Sequence, residues 1–122
     1  MKTYGSIAKL GKLLRSGEMS CTELTHKYLD AAERENKRLN AYVRLTPETA
    51  LAAAAEVDRK LAAGEELPPL AGVPMTLKDN ISTKGIETTC CSKILKGYVP
   101  IYDATVWEIL REQGAVLLGK AN

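Results

Sequence analysis

One lysine stands where an apolar, β-prone run gives way to polar residues: Leu70-Ala71-Gly72-Val73-Pro74-Met75-Thr76-Leu77 leads directly into Lys78-Asp79-Asn80. A lysine works as a general base only when its pKa is brought down from ~10.4 toward neutrality, and burial at the end of an apolar strand, among polar donors, is one way to do that. Lys78 is therefore the candidate catalytic residue. Asp79 and Asn80 are candidates to orient it by hydrogen bonding. The same Lys-Asp-Asn run also fits a solvated turn after a strand, in which Asp and Asn bond their own backbone. Residue types and spacing leave both readings open.

Other groups that could do chemistry are sparse. The five serines are Ser6, Ser16, Ser20, Ser82 and Ser92. Ser82 lies close to Lys78 in sequence, but a base and a nucleophile still need an oxyanion hole and a substrate pocket, and neither can be read here. Of the three cysteines, Cys90 and Cys91 are neighbours, a spacing that suits neither a disulfide framework nor a zinc site, so reduced thiols are expected. The single histidine, His26, is far from them and reads as an ordinary polar helix residue. Lys120 and Asn122 follow a second apolar run and are expected at the same end of the sheet as Lys78. Trp107 reads as a packing or subunit-contact residue.

The elements that must position these groups fall into two halves. In the first, Ile7, Leu10, Leu13 and Leu14 recur at helical spacing and Gly17 follows as a terminator. Ser20-Cys21-Thr22-Glu23 has the form of a capping box, which starts a second helix reaching about Arg38 with Leu24, Tyr28 and Ala31 or Ala32 as its apolar stripe. Ala41 to Leu45 reads as a short strand or extended link. Thr46-Pro47 opens a third helix, with Leu51, Ala54, Val57 and Leu61 periodic along it and Gly64 closing it. Residues 1–64 are thus a helical region.

Glu65-Glu66-Leu67-Pro68-Pro69 reads as a linker, because two prolines stiffen the chain and cannot continue a helix. Beyond it, Val73 to Leu77 predicts a strand, Asp103 an N-cap for a helix over Ala104 to Gln113, and Ala115-Val116-Leu117-Leu118 a buried parallel strand. Strand, helix, strand is a βαβ unit, so residues 65–122 are expected to begin an α/β sheet, parallel or mixed. Two parallel strands cannot bury both faces and both edges, so the sheet is expected to be incomplete.

Composition bounds the class. The chain has 122 residues, 45% of them apolar, enough for one domain with a core. Seventeen Lys and Arg against fifteen Asp and Glu leave a net charge of +2, with the basic residues scattered, so charge gives no reason to propose nucleic-acid contact. No stretch approaches the ~20 apolar residues needed to cross a bilayer. Met1 to Tyr4 lead into an amphipathic segment rather than a signal-peptide core, and a cytoplasmic location with no membrane partner is the default expectation.

The block Gly72-Val73-Pro74 followed by Lys78-Asp79-Asn80 resembles the first block of the amidase signature family. Thr88-Thr89-Cys90-Cys91-Ser92-Lys93, Tyr102-Asp103-Ala104-Thr105-Val106 and Gly114 to Asn122 stand in that family's order. Ser92 to Leu95 together with Tyr102 to Val106 are most similar to its glutamyl-tRNA(Gln) amidotransferase A subunits. The resemblance implies an amino-terminal portion of the amidase fold in which Lys78 acts through a second serine to activate a nucleophilic serine. Both serines lie in a glycine- and serine-rich segment further along the family's chain, and nothing like it occurs here.

The resemblance further implies a glutaminase subunit, no cofactor bound by this chain, and ATP and Mg used by the full complex to turn Glu-tRNA(Gln) into Gln-tRNA(Gln). Its partners would be the other subunits, glutamine as ammonia donor, and tRNA through the complex. A fragment of a stand-alone amidase acting on small amides, and a non-catalytic truncated product, are the alternatives. The isolated chain is expected to be inactive.

Overall fold

The computed structural model describes residues 5–122; residues 1–4, read above as leading into the first helix, lie outside it. The described elements are α1 (Ile7–Arg15), α2 (Cys21–Leu39), β1 (Tyr42–Leu45), α3 (Pro47–Ala62), β2 (Pro74–Lys78), a 3-10 turn (Lys93–Leu95), α4 (Thr105–Glu112) and β3 (Val116–Ala121). The order is α/β, as expected. Among the described residues, no helix is long and apolar enough to cross a membrane.

At the starts of α1 and α2 a serine hydroxyl accepts from a free backbone N–H. Ser6 Oγ accepts from the Lys9 N–H ahead of α1, and Ser20 Oγ accepts from the Glu23 N–H at 3.0 Å ahead of α2. The reciprocal half of the capping box does not form, because the Glu23 carboxylate pairs with Lys27 one turn on, at 3.1 Å. Asp58 of α3 takes its place. Its carboxylate accepts from the N–H groups of Cys21 (2.6 Å) and Thr22 (2.9 Å) and from the Thr22 hydroxyl. A negative charge from a different helix thus sits on the positive end of α2 and fixes α2 against α3.

The three strands form one mixed sheet in the order β1-β3-β2, with β1 antiparallel and β2 parallel to β3. β2, α4 and β3 make the expected βαβ unit. The extended stretch before α3 is a true strand, and it covers the edge of β3 that the parallel pair would leave open. Thr46 ties the start of α3 to β3 by donating its N–H to the Leu118 carbonyl and its hydroxyl to the Leu117 carbonyl.

Alternation along β3 divides the core. Val116 and Leu118 pack with Leu10, Leu14, Leu24, Ala54 and Val57 of the amino-terminal helices. Leu117 packs with Leu77 and Trp107, so Trp107 is a packing residue on the α4 side. Asp103 does not cap α4. That helix begins after Ala104 without a side-chain cap, and Asp103 turns back to accept from the Lys84 N–H (2.7 Å) and to pair with Arg111 (3.1 Å). The backbone at Ala104 is extended (φ −61, ψ 142), so Ala104 and not Asp103 stands at the N-cap position.

A bulge decides what lies at the carboxyl end of the sheet. Met75 pairs with Leu117, but Thr76 pairs with Gly119, so Leu118 is an extra residue in β3 relative to β2. A one-residue slip moves every later side chain to the opposite face. Lys120 therefore shares a row with Leu77, on the α4 side, instead of following Leu118 toward the helices. Gly119 is what lets β1 lie alongside: a Cβ there would run into the Arg44 carbonyl oxygen and come within 2.9 Å of the Tyr42 ring.

Three expectations follow. Gly119→Ala should destabilise the fold by about 2 kcal/mol or more, because the clash is with backbone that cannot rotate away; urea unfolding of the variant measures it. Cys21, wholly buried with its thiol pointed at the Gly72 carbonyl, has its pKa pushed up to about 12, chiefly by burial and then by the Asp58 charge. A thiol raised in this way stays protonated in the native state while the unfolded chain ionises above its ordinary value. A thiol reagent should thus label exposed Cys90 and Cys91 rapidly and Cys21 only with denaturant. The stability margin over Cys21→Ala should narrow as pH rises past about 9.

Candidate active site

Lys78 is the last residue of β2, at the carboxyl end of the sheet where parallel strands line a crevice. Its side chain is exposed, directly after the buried Leu77. No hydrogen bond or ion pair among the described residues holds its Nζ, and its carbonyl accepts from the Ile81 N–H at 3.0 Å. The burial expected at Lys78 is thus absent within these residues, because strand alternation places Leu77, not Lys78, in the α4-side core. Asn80 is exposed as well.

The buried charges belong to its neighbours. Asp79 and Lys120 both have 0% exposure. The Asp79 carboxylate accepts from the Thr89 hydroxyl (2.6 Å), the Thr89 N–H (3.1 Å) and the Arg44 guanidinium (2.7 Å), and lies 3.6 Å from the Lys120 ammonium. Burial pushes its pKa up, but the Thr89 bonds and the Arg44 and Lys120 charges outweigh burial and hold the carboxyl below its ordinary value. Arg44 also donates to the Glu87 carbonyl and pairs with the Glu87 carboxylate at 3.4 Å.

Lys120 spends each of its three donors. It bonds the Ile81 carbonyl (2.8 Å), the Thr83 hydroxyl (3.0 Å) and the Thr88 hydroxyl (3.0 Å). Burial lowers its pKa and the Asp79 charge opposes that. This lysine is a fastener. Its ammonium has no donor left for a substrate, and its place on the α4 side depends on the β3 bulge.

The remaining candidates resolve into local roles. Ser82 gives its carbonyl to the Ala104 N–H and its hydroxyl to Tyr102, so it fixes the approach to α4. Ser92 accepts from the Ile94 N–H at the start of the 3-10 turn, and His26 is exposed on α2. Cys90 and Cys91 are exposed and both lie in left-handed backbone, at φ 51 and 57, a conformation that costs a non-glycine residue roughly 1–2 kcal/mol. Three bonds hold them there: the Cys90 N–H to the Asp79 carbonyl, the Cys91 N–H to the Thr89 hydroxyl, and the Ser92 N–H to the Thr89 carbonyl. The double thiol attracts attention in the sequence; the structural role belongs to Asp79 and Thr89. Arg44 is the contributor that spacing did not reveal, because it comes from the helical half of the chain, and a charged residue in the middle of the short β-rich run was its only signal.

Comparison with known proteins agrees with this architecture. A protein-family model described as Amidase matches residues 23–122. The glutamyl-tRNA(Gln) amidotransferase A subunit of Gloeobacter violaceus is 50% identical over 117 residues, covering 96% of this chain. The mitochondrial A subunit of Xenopus laevis is 49% identical over 117 residues, again covering 96% of this chain. The chain spans only 24% and 22% of those two relatives.

Among solved structures, the native peptide amidase from Stenotrophomonas maltophilia superposes with a TM-score of 0.91 at 39% identity, covering 97% of this chain and 24% of its own. A bacterial aryl acylamidase does so with a TM-score of 0.89 at 28% identity, covering 98% of this chain and 25% of its own. A family match over most of the chain and a fold that superposes on about a quarter of the solved amidases lead to one conclusion: the chain belongs to the amidase signature family.

Proposed function

We propose that this chain is the amino-terminal part of the glutaminase subunit of a glutamyl-tRNA(Gln) amidotransferase, and that Lys78 is its catalytic base. The observation that carries the reading is the difference in likeness. Identity to curated A subunits runs at 46–50% over 95–100% of the chain, against 28–39% to the peptide amidase and the aryl acylamidase. The position of Lys78 supports its role: an uncommitted ammonium at the carboxyl end of β2 can be met by groups from elsewhere.

In this reading, Lys78 takes a proton, through one serine, from a second serine whose oxygen attacks the glutamine side-chain carbonyl. The tetrahedral intermediate collapses with loss of ammonia, and water releases glutamate from the acyl-enzyme. The complete assembly, with its other subunits, spends ATP with Mg to activate Glu-tRNA(Gln) for attack by that ammonia. Both serines and the oxyanion-binding backbone belong to the portion of the relatives that this chain does not span. The segment alone supplies the lysine and the scaffold beneath it.

The competing reading is a stand-alone amidase, favoured by the 0.91 TM-score to the peptide amidase. Glutamine hydrolysis by the full-length parent, with and without partner subunits, separates the two. We expect partner-dependent glutaminase activity that falls at least roughly 100-fold in Lys78→Ala; simple-amide hydrolysis with no partner would support the stand-alone enzyme. The purified 122-residue chain should hydrolyse no glutamine. Hydrolysis by that chain, abolished in Lys78→Ala, would overturn the proposal.

A further inference from the structure

We infer that Lys120 and Asp79 are positioning residues for Lys78, acting from the opposite side of the strand end to set where its ammonium points. The inference rests on Lys78 being the catalytic base. Two continuous paths of bonds carry it. Along the first, the Lys120 Nζ donates to the Ile81 carbonyl while the Ile81 N–H donates to the Lys78 carbonyl, so the turn that leaves Lys78 is held from its far end. Along the second, the residue immediately after Lys78 is clamped on both backbone sides: the Asp79 N–H donates to the Ala121 carbonyl and the Asp79 carbonyl accepts from the Cys90 N–H, each at 2.7 Å.

The Asp79 side chain then locks that clamp. Its carboxylate joins Arg44 of β1, Thr89 of the following loop and Lys120 of β3, so all three strands of the sheet meet beside Lys78. A lysine has four rotatable side-chain bonds, and nothing among the described residues anchors its Nζ. The reproducible part of its geometry is therefore the backbone it leaves from. A shift of about 1 Å in a catalytic group can cost on the order of 100-fold in rate, which makes a rigid strand end worth several buried charges. A solvated turn would need none of this: Asn80, exposed in the same turn, shows what such a residue looks like.

The alternative is that the pair only stabilises the fold. A double-mutant cycle on glutamine hydrolysis by the full-length, partner-assembled enzyme distinguishes the two. Lys120→Met should lower kcat by about 10- to 100-fold with KM within about twofold, while changing the remaining rate of Lys78→Ala less than about twofold. Equal fold losses in both backgrounds, or a kcat within about twofold of wild type, would overturn positioning.

If Lys78→Ala itself keeps wild-type kcat, the assignment of the base fails, and that single variant shows it independently of Lys120. Should Lys120→Met not fold, Thr83→Val and Thr88→Val each remove one of the three acceptors and leave the ammonium two. Each should then lose kcat by a few-fold at unchanged KM. A folded pair of such variants with unaltered kcat sinks the inference.

Discussion

Asp79 is an ionised carboxylate with no access to water, and most of what is distinctive at this end of the sheet follows from the need to keep it there. Burying an unpaired charge costs several kcal/mol, and the cost is offset only when good geometry and further hydrogen bonds accompany the counter-charge. Asp79 has Thr89 on two bonds, Arg44 on a third and Lys120 at 3.6 Å. Each partner comes from a different piece of chain. Arg44 must therefore reach in from β1, β3 must deliver Lys120 to the α4 side, and the loop carrying Thr89 must fold back over the strand end. The bulge at Leu118, the missing side chain at Gly119 and the left-handed backbone at Cys90 and Cys91 are the local deformations that let these three arrivals coincide.

That view explains which parts of the fold are legible in the sequence. Helix boundaries depend on groups within a few residues of each other, so Ser20, Pro47 and the glycines at 17, 64 and 114 place them well. The apolar run at 115–118 marks its buried strand for the same reason. Asp103 misleads because its acceptor oxygens serve the Lys84 N–H, nineteen residues away, and Arg111, two turns along α4. Nothing local ranks that arrangement above an N-cap. The capping box at Ser20 is half right on the same grounds: its first bond is local, whereas the carboxylate that completes the helix start is Asp58, in a different helix.

The site is less legible than the fold. Strand ends can be located from hydrophobicity, but the face on which each side chain emerges depends on register, and register is a property of two strands together. Lys78 and Lys120 follow similar apolar runs, and nothing in either run says which ammonium is buried. The β3 bulge decides it by placing Lys120 in the row of Leu77. Arg44 is hidden for a related reason: its strand joins the sheet only through pairing with β3, from a part of the chain that is otherwise helical.

The contrast between the two lysines also bears on what catalysis requires. A buried ammonium saturated by three acceptors is held too firmly to exchange protons with a moving substrate, whereas an exposed one is free to move. A lysine base needs a third condition: desolvation by groups that leave its lone pair facing a reactive hydroxyl. On the proposed reading, the described residues hold the strand end and leave the ammonium open, and groups outside them would supply the desolvating surface. Apolar groups are left open too: Ile94 and Ile101 are 93% and 86% exposed, and Val106 and Ile109 of α4 are exposed with them. Where such groups collect, another surface usually packs. Rigidity of a base and closure of its surroundings are thus separable requirements, and in the proposed reading Asp79 and Lys120 serve the first while the second falls to what packs against this end of the sheet.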